Sequence, residues 1–82
     1  MTLNDLLDKV CNGMSDNMTS KKLGINRVTF SNYRNGHTIP KDEIVDRMIE
    51  SSGVNPLEAY LAVYAEKVSN PQVAEQFRHL SA

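Results

Sequence analysis

An all-α domain of five to six short helices is the fold class this chain predicts, on three observations. Apolar residues recur at spacings of three and four, as in Leu3, Leu6, Leu7 and Val10, and few strand-forming residues alternate. Helix-starting residues punctuate the chain at Thr2, Ser15, Asn26, Asn55-Pro56 and Asn70-Pro71, with Gly13, Gly24, Gly36 and Gly53 among the stops. The composition, 40% hydrophobic and 23% charged over 82 residues, suits one small folded domain rather than a disordered chain.

Thr2 caps the first helix, with Asp5 three positions on, and Leu3, Leu6, Leu7, Val10 and Met14 carry it to about Asn12-Gly13. Cys11 lies beside that stripe and reads as a small buried hydrophobe. A single cysteine forms no intramolecular disulfide, and no Cys/His set has zinc spacing. Ser15 caps a second helix from Asp16 to Leu23, and Gly24 stops it with the positive φ that such an end requires. Pro40 is expected to open a fourth helix, with Asp42 and Glu43 matching its dipole, Ile44, Val45, Met48 and Ile49 buried, and Gly53 closing it. Asn55-Pro56-Leu57-Glu58 starts a fifth helix reaching about Val68. Asn70-Pro71 starts a sixth, with Val73, Ala74, Phe77 and Leu80 on its apolar side.

Between the second and fourth helices lies the stretch around which the rest is organised, Gly24 to Gly36. Ile25 plugs a tight turn, Asn26 caps a short third helix, and Phe30 and Tyr33 turn inward. Arg27, Val28, Ser31, Asn32 and Asn35 then fall on the outer face, and Asn35-Gly36 ends the helix. Amide, hydroxyl and guanidinium groups on one exposed helical face suit the reading of base edges in a groove. The charge distribution agrees. The whole chain has a formal net charge of −1, yet residues 17 to 41 hold five bases (Lys21, Lys22, Arg27, Arg34, Lys41) and no acid. The other four bases stand against all ten acids, so a positive segment sits in an acidic shell and focuses a polyanion onto one face.

Leu23-Gly24-Ile25, followed by Ser31, Tyr33 and Gly36 and then by Pro40, resembles the helix-turn-helix of the Cro/cI-type (XRE-like) repressor family. The resemblance covers roughly residues 3 to 55, about two-thirds of the chain. From Asn55 onward the chain is similar to the tails of small prophage-encoded regulators, a weaker match. The resemblance implies a lambda-repressor-like DNA-binding domain whose third helix enters the major groove, with Arg27, Val28 and Asn32 at base-reading positions and Asn35 at a phosphate-clamping one. By residue chemistry, Arg27 suits guanine O6 and N7, Asn32 adenine N6 and N7, Ser31 either base, and Val28 a thymine methyl. Lys21, Lys22, Asn26, Arg34, Thr38 and Lys41 are candidates for phosphate contacts, joined by Asn17 and Thr19 near the start of the second helix. The chain departs from the family's pattern at Thr19 and Ser20, which stand where the family has aliphatic residues. Thr19 thereby brings a hydroxyl to a site the family buries.

The expected organisation is a DNA-binding core at 1–54 and C-terminal helices at 55–82 that complete it within a single domain. Leu57, Tyr60, Leu61, Tyr64 and Val68 form one stripe of the fifth helix, while Ala59, Ala62, Val63 and Ala65 widen it. A helix apolar over so much of its circumference needs more than one partner surface. Leu57, Tyr60, Leu61, Tyr64, Val68 and Phe77 are therefore expected to build a two-fold dimer interface. Two recognition helices would then read a near-palindromic operator about one DNA turn, roughly 10 bp, apart.

Neither His37 nor His79 has a partner at catalytic or ligand spacing, and no Gly-rich phosphate loop occurs, so no enzyme, metal, cofactor or small-molecule ligand is expected. The charged N-terminus is no signal peptide, no apolar run suggests a membrane span, and a cytoplasmic, nucleoid-associated protein is expected. The function expected is a transcriptional repressor binding double-stranded operator DNA as a homodimer, encoded by a phage or mobile element. A protein-interaction module (antitoxin or anti-repressor) on the same scaffold is the alternative, as is an excision or architectural DNA-binding factor. The polar, acid-free outer face of the third helix favours DNA over a protein partner.

Overall fold

The computed structural model describes residues 1–80, and among them it contains six α-helices and no strand. These are α1 (Leu3–Cys11), α2 (Asp16–Leu23), α3 (Arg27–Arg34), α4 (Asp42–Ser52), α5 (Pro56–Ala65) and α6 (Pro71–Leu80). The all-α expectation holds at the upper helix count. None of these helices is long and apolar enough to cross a membrane.

Local chemistry accounts for most boundaries. Thr2 Oγ1 accepts from the Asp5 amide at 3.1 Å while the Asp5 carboxylate accepts from the Thr2 amide at 2.9 Å, closing a capping box on α1. Ser15, Asn26 and Asn55 accept in the same way from Met18, Thr29 and Glu58 at the starts of α2, α3 and α5. Gly24 stops α2 at φ 74°, and the amides of Gly24 and Ile25 bond back to the carbonyls of Lys21 and Ser20 at 3.1 and 3.0 Å. Two boundaries differ from expectation. Pro40 does not open α4: it is buried two residues upstream of Asp42, with Lys41 as the N-cap, so its ring serves packing. And α5 stops at Ala65 rather than near Val68. There the amides of Glu66 and Lys67 reach only three residues back, to Val63 and Tyr64, and the tightened turn ends the helix.

The core gathers Leu3, Leu6, Leu7, Val10 and Cys11 of α1, Leu23 of α2, Phe30 and Tyr33 of α3, Val45 and Met48 of α4, and Ala59 and Val63 of α5. Phe30 and Tyr33 meet edge to face with centroids 6.5 Å apart. Thus α3 is seated by its two aromatic residues, and its other face is left outward. Helix α6 packs against α5 alone among the helices, with Ala74 buried there. The N-terminal ammonium also reaches it, donating to the Arg78 carbonyl at 3.0 Å.

The polar inner face of α2 is resolved within the helix itself. Thr19 is 0% exposed, and its hydroxyl donates to the Ser15 carbonyl at 2.9 Å. Ser20 Oγ likewise donates to the Asn17 carbonyl at 2.7 Å. Each hydroxyl replaces lost water with a bond one turn back, so no buried side-chain polar atom is orphaned among the described residues.

Candidate nucleic-acid interface

The three residues Gly24, Ile25 and Asn26 join α2 to α3 and set their relative placement. Ile25 packs on the core, and a Cβ at Gly24 would lie 3.3 Å from Arg47 Nη1. Arg47 reaches across from α4 to donate to the Leu23 carbonyl at 3.1 Å, satisfying an end carbonyl of α2, while its other nitrogen pairs with Glu43 at 2.8 Å. The turn is thereby tied to α4.

On α3 the outward residues form a continuous ridge. Arg27, Val28, Ser31 and Asn35 are exposed, Val28 at 63%, and Asn32 is half-buried. Val28 is thus an apolar group left open to water on this ridge. Asn35 Nδ2 donates to Ser31 Oγ at 3.3 Å, orienting the hydroxyl. An open groove of about 380 Å³ runs beside this ridge, lined by Asp16, Arg27, Val28 and Ser31. No local sequence pattern marks Asp16 as a groove residue.

The four base-reading candidates, Arg27, Val28, Ser31 and Asn32, therefore lie along one helix side. Among the phosphate candidates, Asn17, Lys21, Lys22, Asn26, Asn35, Thr38 and Lys41 are exposed. Arg27, Lys21, Lys22 and Lys41 have no ion-pair partner among the described residues. Asn26 keeps only its amide nitrogen for a ligand, because Oδ1 accepts from Thr29 at 2.8 Å. Two candidates are corrected. Thr19 is buried, with its hydroxyl given to Ser15, and cannot reach a phosphate. Arg34 is half-buried and engaged: Nη1 pairs with Asp8 at 2.6 Å, Nη2 with Asp16 at 3.2 Å, and the guanidinium lies 5.6 Å from the Phe30 centroid. Burial works against its charge, but the bonds to Asp16 and Asp8 outweigh that and raise its pKa above the ordinary value.

The expected dimer residues divide. Leu57 is 67% exposed, whereas Tyr60, Leu61, Tyr64, Val68 and Phe77 are half-buried within the chain. The two tyrosines lean on α4. Tyr60 Oη bonds Asp46 and Tyr64 Oη bonds Asp42, at 2.5 and 2.8 Å, and the rings meet edge to face at 5.9 Å. The Asp46 bond, with burial and the Asp42 charge behind it, pushes the Tyr60 pKa up to about 12; the bond to Asp42 raises that of Tyr64. Leu80, 70% exposed, and Val73 extend the α6 stripe beyond what α5 covers. Compared with protein families, curated proteins and solved structures, the chain matches none.

Proposed function

We propose that this protein is a sequence-specific DNA-binding regulator that reads the major groove with α3, in the manner of a helix-turn-helix. The observation that carries the reading is the outward ridge Arg27–Val28–Ser31–Asn32. It combines an unpaired guanidinium, an exposed apolar group, a hydroxyl and an amide on a segment without acids. Those are the groups that match guanine, the thymine methyl and adenine edges. Lys21, Lys22 and Lys41 supply mobile cations for the backbone, whose counterion release gives affinity without sequence information. A protein-binding face of this size would be expected to carry aromatic anchors, and the aromatic residues of α3 point inward instead.

Binding as a homodimer through the C-terminal helices is part of the proposal. Its support is the exposed Leu57 and Leu80, together with the uncovered side of the α6 stripe. A repressor acting by occluding polymerase follows most simply, and the resemblance to the Cro/cI-type family points the same way.

The test is fluorescence anisotropy with DNA flanking the protein's own gene and with random DNA, at two salt concentrations. Preferential, salt-weakened binding to one fragment, clearly weakened in Arg27→Ala, is the expected result. Equal binding to every fragment, unchanged by the substitution, would refute the reading.

A further inference from the structure

We propose that Arg34 is a positioning residue of the DNA-reading face: it ties α3 to α1 and α2, offsets part of the negative charge of Asp8 and Asp16, and makes no contact with phosphate. This inference rests on the DNA-binding reading above.

Its basis is the node in which the guanidinium sits. Nη1 donates to Asp8 Oδ1 at 2.6 Å and to the Asn4 carbonyl at 3.5 Å, which fixes the start of the tie on α1. Nη2 donates to Asp16 Oδ1 at 3.2 Å and lies 3.5 Å from Cys11 Sγ, which itself donates to that same carboxylate oxygen at 3.5 Å. Beneath the guanidinium lies the Phe30 ring. Both terminal nitrogens and one face of the group are thus committed to three helices at once. Only a planar fork spans two carboxylates in this way, so lysine is no substitute.

Asp16 gives the node its bearing on DNA, for it lines the same groove as Arg27, Val28 and Ser31. An unpaired carboxylate there would repel the phosphate backbone that Lys21, Lys22 and Lys41 attract. Sharing Arg34 halves the negative charge that Asp8 and Asp16 together would present. To grip a phosphate, Arg34 would have to leave both partners, trading two ion pairs for one and freeing two negative charges beside a polyanion. The node therefore has two effects: it holds the ridge against α2 and screens the exposed acid in the first turn of that helix.

The decisive comparison is among the wild type, Arg34→Ala, and the triple variant Asp8→Asn, Asp16→Asn, Arg34→Gln, each titrated with the preferred DNA across a salt series. The triple variant replaces ions by amides and retains bonding groups at all three sites. Arg34→Ala is expected to weaken binding about tenfold or more, and the triple variant to recover it to within about threefold with an unchanged slope of log Kd against log salt. A triple variant as weak as Arg34→Ala, with the slope lowered by about 0.9, would make Arg34 a phosphate contact and overturn the proposal. A second measurement needs no variant. In wild-type protein, the Arg34 side-chain N–H resonances should stay in place on adding DNA while those of Arg27 shift. Arg34 resonances that move as far as those of Arg27 would overturn the proposal even if the triple variant fails to fold. Wild-type protein that prefers no DNA over random sequence fails the DNA reading itself, an outcome separate from either of these.

Discussion

The outer face of α3 and the face shared by α4 and α5 are built from similar polar material and use it in opposite ways. Around α3, Arg27, Lys21 and Lys22 stand in solvent without an ion-pair partner among the described residues, and no acid lies between residues 17 and 41. On the α4–α5 face the polar groups close on one another: Tyr60 bonds Asp46, Tyr64 bonds Asp42, and Lys67 lies 4.4 Å over the Tyr64 ring. Exposed cations without an ion pair add little to folding, and under the proposed function they are the groups available to DNA. Satisfied tyrosines and aspartates contribute to the fold and are poorly placed to bind anything else. The contrast recurs within α3 itself, where Arg27 at one end is free and Arg34 at the other is spent on Asp8 and Asp16.

Four changes sharpen this contrast, ordered by expected size. Arg27→Ala should cost about 1–3 kcal/mol of specific DNA binding while leaving the melting temperature unchanged; a matching loss of stability would mean that the side chain serves the fold. Gly24→Ala should lower stability by about 1–2 kcal/mol, because φ is 74° and the added Cβ crowds Arg47 Nη1 at 3.3 Å. Chemical denaturation checks this, and an unchanged midpoint would show that the turn adapts. Lys21→Ala should reduce the salt slope of binding by about 0.9, with little change in preference among sequences. The smallest effect belongs to the tyrosine face. The folded pKa of Tyr60 is raised from 10.0 to about 12, so the stability from its bond is present below pH 10 and lost as pH climbs through 12. Melting temperatures followed from neutral to alkaline pH should fall over that window, and less steeply in Tyr60→Phe.

Much of the fold was legible because its signals are local. Thr2 with Asp5, Ser15, Asn26 and Asn55-Pro56 bond within three residues of themselves, and Gly24 and Gly53 stop helices by their own backbone freedom. What stayed hidden depends on distant or competing partners. Arg34 meets Asp8 and Asp16 across gaps of 26 and 18 residues, and nothing near Arg34 announces either carboxylate. Tyr60 and Tyr64 read as free apolar surface until α4 brings Asp46 and Asp42 beneath their hydroxyls. Pro40 carries a helix-opening signature, yet the packing that buries it delays α4 to Asp42. Thr19 is the instructive exception. A helical threonine four residues after Ser15 has a backbone carbonyl within reach, so its burial was compatible with its chemistry from the outset. The ridge on α3 was legible for the converse reason, since helical periodicity alone separates Phe30 and Tyr33 from Arg27, Val28 and Ser31.

The most direct test of the central claim is a map of backbone amide shifts as DNA is titrated into isotope-labelled protein. Shifts concentrated at Arg27 through Asn35, with Lys21 and Lys22 affected and Tyr60, Tyr64 and Lys67 still, are the result predicted. Shifts centred on α4 and α5, with the α3 ridge unmoved, would contradict it.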